Sequence, residues 1–347
     1  MQQSLKAPLG WLYTTQPLPD AGKSAEAVSI IMRTKDRALL LPRAVQSVLA
    51  QSLADWKLYL VNDGGDVAML EAVLAPYRDA FAQRLLVTNH AVSKGMEAAS
   101  NVGLMQATGR YFVIHDDDDR WAPDFLKRTV EFLEAPENAT YIGVATGCDV
   151  VQERIEGDQI VTVAQFPWRY FQPPVTYAAM LARNQMPPIT LLLRRSLLQL
   201  IGGFNEALPV LGDWEFILRA LAVGDVGALE ESLAFYHHRL AVDQPVYANS
   251  VTGGVNIHAE MRTRMGNHIV RTALCQEPAL LGVLWPVLQA LDAQDVRQKA
   301  DDAVLQRLEQ RLGVMEAELR AVREAVEPQR RVVAWLRRWR RKAPSAP

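Results

Sequence analysis

Four consecutive aspartates, Asp116–Asp119, are the residues most clearly suited to chemistry. They follow His115, which directly follows the apolar run Tyr111–Ile114, and such a run is typical of a buried strand. Packing does not explain them, because aspartate forms strands poorly and neighbouring carboxylates repel each other. Side chains alternate along an extended backbone, so Asp116 and Asp118 are expected to point the same way. Such a pair suits a hard divalent cation that also binds a diphosphate, and an acidic turn capping the strand is the alternative.

Apolar runs alternate with helical patterns in the first third of the chain. Strands are expected at 28–32, 56–61, 84–88 and 110–114, and helices at 38–52, 67–79 and 95–108. This alternation predicts an α/β fold with a mostly parallel, doubly wound sheet. Such sheets bind ligands at the carboxyl ends of their strands. Thr34, Asp63 and the aspartate run all fall at such ends, so the sequence predicts one binding edge.

The second half of the chain has a less regular pattern. Further strands are expected near 141–152, 159–166 and 189–194. A turn at 202–206 precedes a helix that begins near Gly212, with Asp213 where an N-cap is expected. Residues 256–300 have a helical pattern.

Composition and cysteine usage are those of an ordinary globular protein. The 347 residues are 49% hydrophobic and 22% charged, which allows a sizeable core. Cys148 and Cys275 give no disulfide framework and no CxxC metal motif, which fits a reducing cytoplasm. Residues 1–15 lack the pattern of a signal peptide, and Pro286 interrupts the longest apolar stretch, 278–291. We therefore expect a cytoplasmic protein, either soluble or peripheral at the inner face of the cell membrane.

Residues 305–326 repeat apolar side chains at spacings of three and four, with mostly charged residues between them. This repeat predicts a coiled coil, and a coiled coil would make the protein a homo-oligomer. A helix packed on its own domain is the alternative.

Residues 328–347 form a basic tail. They include six arginines and Lys342 without an acidic residue, which leaves a net charge of about −9 for the rest of the chain. Apolar residues that include Trp335 and Trp339 would line one face of a helix, as in interfacial anchors, so 330–342 are expected to meet an anionic membrane. A disordered basic tail is the alternative. The acidic body argues against binding nucleic acid over a broad surface.

Five blocks of the sequence follow one another in an order that carries a family resemblance. They are VSIIMRTKDR at 28–37, VNDGGD at 61–66, SKGMEAASNVGLMQATGRYFVIHDDDDRWAPDFL at 93–126, GGFNE at 202–206 and GDWEFILRA at 212–220. Together they resemble the family 2 glycosyltransferases of the GT-A fold over about residues 28–240. The expected organisation is a leader at 1–27, a GT-A domain at 28–245, a helical extension at 246–300, a coiled-coil helix at 301–327 and the basic tail at 328–347.

The resemblance implies roles for individual residues. Contacts with the nucleotide sugar are implied for Thr34, Arg33, Asp63, Lys94, Asn101, Asp116 and Asp117. Asp63 would accept a hydrogen bond from the base, unless it only begins a turn with Gly64 and Gly65. Metal binding is implied for Asp118, Asp116 and His238, although His237 is adjacent. Asp213 would be the general base.

The chain departs from the family pattern at two positions. The acidic pair usual before the tryptophan is here Gly212 and Asp213, so one acid is missing. Asp213 is preferred to Glu215 as the base because it directly precedes Trp214. Arg33 replaces the commoner proline, and it would either contact a phosphate or form a surface salt bridge.

The activity that the resemblance implies is sugar transfer with inversion. The donor would be a UDP-, dTDP- or GDP-linked sugar, and the acceptor a hydroxyl of a saccharide or glycolipid in the synthesis of a cell-surface polysaccharide. Mn²⁺ or Mg²⁺ would be the cofactor. Two alternatives are a nucleotidyltransferase, disfavoured because 33–37 has no glycine, and a non-catalytic scaffold that tethers a membrane assembly.

Overall fold

A computed structural model of the protein describes residues 26–240 and 255–287 without a break, together with residues 247, 289–291, 294, 311 and 315. The leader, the predicted coiled coil and the basic tail therefore lie almost entirely outside the described residues. A boundary between two compact units falls between Thr272 and Ala273, and all the strands lie in the first unit. No described helix is both long enough and apolar enough to cross a membrane.

Strands and helices alternate through the first part of the chain, as the sequence predicts. The elements are β1 (Val28–Thr34), α1 (Leu41–Leu49), β2 (Trp56–Asp63), α2 (Val67–Leu74), α3 (Arg78–Phe81), β3 (Leu85–His90), α4 (Met96–Gln106) and β4 (Tyr111–Ile114). β1 pairs in parallel with β2 and with β4, and β2 pairs in parallel with β3. The ends of β1, β2 and β4 therefore lie at one edge of the sheet.

The later elements extend the same sheet. They are β5 (Arg120–Trp121), α5 (Phe125–Glu134), β6 (Gly143–Glu156), β7 (Gln159–Pro167), α6 (Tyr177–Ala182), β8 (Leu191–Arg194), α7 (Leu197–Ile201), α8 (Gly212–Leu221), β9 (Val226–Arg239) and α9 (Val255–Gln276). The strand order is β3-β2-β1-β4-β8-β6-β9-β5, with β7 beside β6. β8 runs antiparallel between β4 and β6, whereas β6 and β9 are parallel over a long register.

Two hydrophobic cores cover the two faces of the sheet. Alternation along β1 places Ile30 in one core and Ile31 in the other, and both side chains are fully buried. Apolar residues on both faces explain why VSIIM is a continuous apolar run rather than an alternating one. The α/β class and the doubly wound arrangement of the first strands are thus confirmed.

The structure corrects the prediction that Asp213 is an N-cap. Helix α8 begins at Gly212, and the residue before it, Leu211, has a left-handed backbone with φ of 67°. No side chain caps this helix end, and Asp213 lies within the first helical turn. The aspartate is therefore presented from the helix rather than used to begin it.

Candidate functional site

The site lies where the first strands end. Thr34 ends β1, Asp63 ends β2, and the aspartates follow β4, which are neighbouring parallel strands. The Thr34 side chain hydrogen-bonds Asp117. The convergence of polar groups that the sequence predicts at this edge is therefore present.

The aspartates are held by basic or main-chain groups from other parts of the chain. Asp117, Asp118 and Asp119 are buried, whereas the side chain of Asp116 is 24% exposed. The contacts are Arg33 to Asp116 at 2.6 Å, Arg37 to Asp117 and Asp118 at 2.9 Å each, Arg239 to Asp118, and the His237 main-chain N–H to Asp119 at 2.7 Å. Arg43 donates to the Asp118 carbonyl. Sequence patterns did not identify Arg37, Arg43 or Arg239.

The buried aspartates differ in protonation because their neighbours differ. Burial disfavours the charge on Asp118, but Arg239 and Arg37 outweigh it and hold the pKa of that carboxyl below its ordinary value. Burial raises the pKa of Asp117 to about 6, against the effect of Arg37. Burial and the charge of Asp118 raise the pKa of Asp119 well above its ordinary value. Asp118 is therefore the buried member of the run whose charged form is favoured by its surroundings.

The donor atoms at this edge fit a divalent cation in kind. Asp116 and Asp118 offer carboxylate oxygens, and the buried Nε2 atom of His238 has no hydrogen-bond partner. His237 Nδ1 hydrogen-bonds Glu153 at 2.6 Å. Metal binding by His238 rather than by His237 stays a prediction. The described residues include no group of three or more His, Cys, Asp or Glu side chains placed to hold a metal. Because Arg37 and Arg239 already contact Asp118, a cation would have to displace arginine from this carboxylate.

Asp63 organises the loop that precedes helix α4. Its carboxylate accepts hydrogen bonds from Ser93 Oγ, from the main-chain N–H groups of Lys94 and Gly95, and meets His90 Nδ1, all within 2.9 Å. Burial opposes the charge, but these donors lower the pKa of Asp63. The Lys94 side chain is exposed. Both carboxylate oxygens of Asp63 are thus engaged within the protein. Base recognition by Asp63 and the nucleotide-sugar contact of Lys94 stay predictions.

Asn101 connects helix α4 to the GGFNE block. Its amide donates to the Phe204 carbonyl at 2.9 Å and to Glu206 at 2.8 Å, and its oxygen accepts from the Phe204 N–H at 2.7 Å. A Cβ at Gly203 would overlap the Asn101 amide oxygen, so this close approach requires glycine. The nucleotide contact implied for Asn101 stays a prediction, since these bonds all go to the 204–206 loop.

Asp213 and Glu215 occupy different environments on α8. Glu215 is fully buried, and its two carboxylate oxygens accept from Arg219 at 2.6 and 2.8 Å. Asp213 is partly exposed and accepts from Asn184 at 3.0 Å. Burial raises the pKa of Asp213, although the Trp214 N–H and Arg33 lower it. Asp213 is therefore the acid of this pair that can reach a substrate.

Arg33 joins the aspartate run to helix α4. Besides its contact with Asp116, it donates to Ser100 Oγ at 2.7 Å and lies 3.9 Å from the carboxylate of Glu97. Its side chain is only 13% exposed, so the arginine forms a largely buried ion pair rather than the surface salt bridge considered from the sequence.

Glu97 is a site residue that the sequence analysis missed. The residue is 4% exposed, and its Oε2 atom is buried without a hydrogen-bond partner. Burial raises the pKa of Glu97 to about 7, against the effect of Arg33 and with a further rise from Asp213. The available signal was its place on the buried face of α4, in register with Ser100 and Leu104.

Comparisons with known proteins agree with this architecture. The family model described as Glycosyl transferase family 2 matches residues 29–199. The chain is 25% identical over 193 residues to the uncharacterized glycosyltransferase YwdF of Bacillus subtilis, covering 56% of this chain and 67% of the relative. It is 27% identical over 202 residues to a PGL/p-HBAD biosynthesis glycosyltransferase of Mycobacterium bovis, covering 57% and 71%.

Other matches cover a smaller share of the matched protein. The putative glycosyltransferase EpsE of Bacillus subtilis is 31% identical over 130 residues, which is 38% of this chain and only 46% of EpsE. Among solved structures, Staphylococcus aureus TarS 1–349 in complex with UDP has a TM-score of 0.46 at 19% identity, with 61% of this chain and 60% of that one covered.

The sheet edge and the sequence matches define a glycosyltransferase, an enzyme that uses nucleotide sugars. Within that class, residues 29–199 of the chain match glycosyltransferase family 2.

Proposed function

We propose that the protein is an inverting glycosyltransferase that moves a sugar from a nucleotide diphosphate to an acceptor hydroxyl. One observation carries this proposal: Asp213 on α8 and Asp116 after β4 act electrostatically on the same guanidinium group, that of Arg33. This common interaction supports a single site for a candidate base and the acidic run, which come from distant parts of the chain. The donor would be bound at the ends of β1, β2 and β4, and the acceptor beside α8.

Asp213 would act as the general base. Its carboxylate would take the proton of the acceptor hydroxyl as the oxygen attacks the sugar carbon, on the face opposite the leaving diphosphate. The raised pKa of Asp213 makes it a stronger base than an ordinary aspartate. Inversion in one displacement needs no nucleophilic residue, so a single base suffices.

Thr34, Arg33, Asp63, Lys94, Asn101, Asp116 and Asp117 are proposed to bind the nucleotide sugar, directly or by shaping its pocket. A divalent cation, Mn²⁺ or Mg²⁺, would be held by Asp118 and Asp116 with His238, and when bound it would stabilise the negative charge of the leaving diphosphate. Arg37 and Arg239 support this metal role of Asp118, because they keep its carboxylate ionised before a metal binds.

The acceptor is proposed to be a saccharide or glycolipid of the cell surface. This is supported by the family match and by relatives whose names concern PGL/p-HBAD biosynthesis. The proposal also includes a cytoplasmic location. It further includes an anionic membrane contact through 330–342 and a homo-oligomer through 305–326, and these two segments lie almost wholly outside the described residues. The family match disfavours the nucleotidyltransferase and scaffold alternatives.

Two substitutions test this division of roles. Asp213→Asn keeps the shape and an acceptor for Asn184, so it should lower transfer by about 10²–10⁴-fold while nucleotide binding persists. Asp118→Ala should weaken the metal-dependent binding of UDP, dTDP or GDP in calorimetry with and without Mn²⁺. Equal loss of nucleotide binding in both variants would contradict the assignment of Asp213 as base.

A further inference from the structure

The carboxyl group of Glu97 occupies the space that a side chain at residue 212 would fill. A Cβ added at Gly212 would overlap Oε1 and Cδ of Glu97 and would lie 2.8 Å from its Cγ. Gly212 has no positive φ and lies in helix α8, so its backbone is compatible with a side chain. What excludes a side chain at this position is the carboxyl group from α4.

The Glu97 carboxyl group from α4 therefore lies against the residue that directly precedes Asp213 on α8. Asp213 follows Gly212 directly on α8, and its charge acts on Glu97. The sequence departs from its family at this point, since Gly212 stands where an acid usually precedes the aspartate. Residue 212 itself carries no acid, but the carboxyl group of Glu97 occupies the place of its side chain.

We propose that Glu97 is the second acid of the acceptor site, supplied by helix α4 in place of a side chain at residue 212, and that it hydrogen-bonds the acceptor next to Asp213. The proposal rests on the function proposed above and names a residue for acceptor binding.

The contacts of Glu97 point to a ligand rather than to a purely structural role. Its Oε2 atom is buried and has no hydrogen-bond partner, which is rare for a carboxyl group in a protein interior. The nearest guanidinium nitrogen of Arg33 is 3.9 Å away, too far for a hydrogen bond, and Arg33 already donates to Asp116 and Ser100. A hydroxyl group of an acceptor would satisfy this oxygen.

The environment also lets Glu97 serve either as donor or as acceptor. Burial brings its pKa to about 7, so both protonation states are populated near neutral pH. A neutral carboxyl can donate to an acceptor oxygen, and an ionised one can accept from a hydroxyl. Asp213, which is partly exposed on α8, remains the proposed base.

A carboxyl exchange tests the proposal in the full-length protein. The four proteins are the wild type, Glu97→Ala, Gly212→Glu and the double variant Glu97→Ala/Gly212→Glu. The assay is release of nucleoside diphosphate from a UDP-, dTDP- or GDP-sugar, with water in the place of the acceptor, and nucleotide affinity is measured in parallel. Thermal melting reports whether each variant folds.

Each single variant should lower kcat by at least about tenfold, because one lacks the carboxyl group and the other crowds two of them into one space. The double variant should return to within about threefold of the wild-type kcat, because its carboxyl group again lies between α4 and Asp213. Nucleotide affinity should stay within about threefold throughout. Gly212→Glu alone should have the lowest melting temperature of the four proteins. Adding Glu97→Ala in the double variant should raise that temperature again.

Wild-type kcat in Glu97→Ala would overturn the proposal. A folded double variant no more active than the weaker single variant would also overturn it, because a residue that only supports Arg33 would not be replaced from position 212. If the wild type neither binds a nucleotide nor releases one, the proposed function fails and this proposal fails with it. If the wild type releases nucleoside diphosphate and Glu97→Ala releases it equally fast, this proposal alone fails and the proposed function stands.

Discussion

Replacing Glu97 by glutamine should make the protein less sensitive to alkaline pH. Folding places this carboxyl near Arg33 of β1, Asp116 after β4, and Asp213 and Glu215 of α8, and burial is the largest influence on it. Burial and the nearby acids raise its pKa from the ordinary 4.5 to about 7. The folded protein therefore binds this proton more tightly than the unfolded chain does.

The size of the effect follows from that difference. At pH 5 Glu97 is neutral in the folded protein, and its pKa shift costs less than about 1 kcal/mol. As pH rises from 4.5 through 7, the folded state must ionise a buried group, and stability falls. Above pH 8 the full cost is about 3 kcal/mol, the free-energy equivalent of the change from 4.5 to about 7. Glutamine has no proton to lose and avoids this cost.

The assay is denaturant unfolding, followed by tryptophan fluorescence, of wild type and Glu97→Gln at pH 5 and pH 9. Glutamine should gain about 2 to 3 kcal/mol relative to wild type between the two pH values. Effects of the amide on packing are common to both pH values and cancel in this comparison. Glu137→Gln is the matched control, because Glu137 is exposed and its substitution should have the same effect at both pH values. A gain for Glu97→Gln that does not depend on pH would refute the reasoning.

Three other predictions address separate parts of the molecule. Arg37→Gln should tighten the binding of Mn²⁺ alone by about tenfold in calorimetry, because one partly buried guanidinium no longer competes for Asp118, and unchanged affinity would contradict that competition. Arg219→Met should lower the free energy of unfolding by about 3–5 kcal/mol, because Glu215 is left buried without its partner, and a loss below about 1 kcal/mol would show that the pair is dispensable. Truncation after Val326 should reduce cosedimentation with anionic vesicles and leave donor hydrolysis unchanged, whereas equal cosedimentation would remove the proposed anchor.

The sequence predicted the first strands well because both of their faces are buried. Runs such as VSIIM and WKLYLV are mostly apolar, with Ser29 and Lys57 as their polar or charged exceptions, and β1 and β2 extend only two residues beyond the predicted ends. The polar groups at those ends follow from parallel pairing, so the location of the site could also be predicted.

Strand β9 was harder to identify because its pattern is broken. Residues 230–232 (EES) are polar and exposed in the middle of the strand, and the pairing register with β6 shifts near Gly147. His237 and His238 lie inside β9. Local sequence carries little information about a register set by a distant strand.

The charged partners within the site were not predictable from spacing. Glu97 and Gly212 are 115 positions apart in the sequence, and Arg239 meets Asp118 across 121 positions. A glutamate in a helix is ordinarily assigned to the surface, whereas Glu97 is buried near Arg33 of β1 and Gly212 of α8. Spacing within a motif identifies which residues are chemically suited to a role, whereas the fold determines which of them meet.

The close approach of Glu97 to Gly212 also restricts the order in which these positions can change during evolution. Any larger residue at 212 displaces a buried carboxyl group while Glu97 remains. A lineage that starts from this chain must therefore shorten residue 97 before it can place a side chain at 212. A lineage with an acid at 212 must lose that side chain before glutamate at 97 can occupy the space. The two positions should therefore vary together among descendants, with glycine at 212 wherever glutamate is kept at 97.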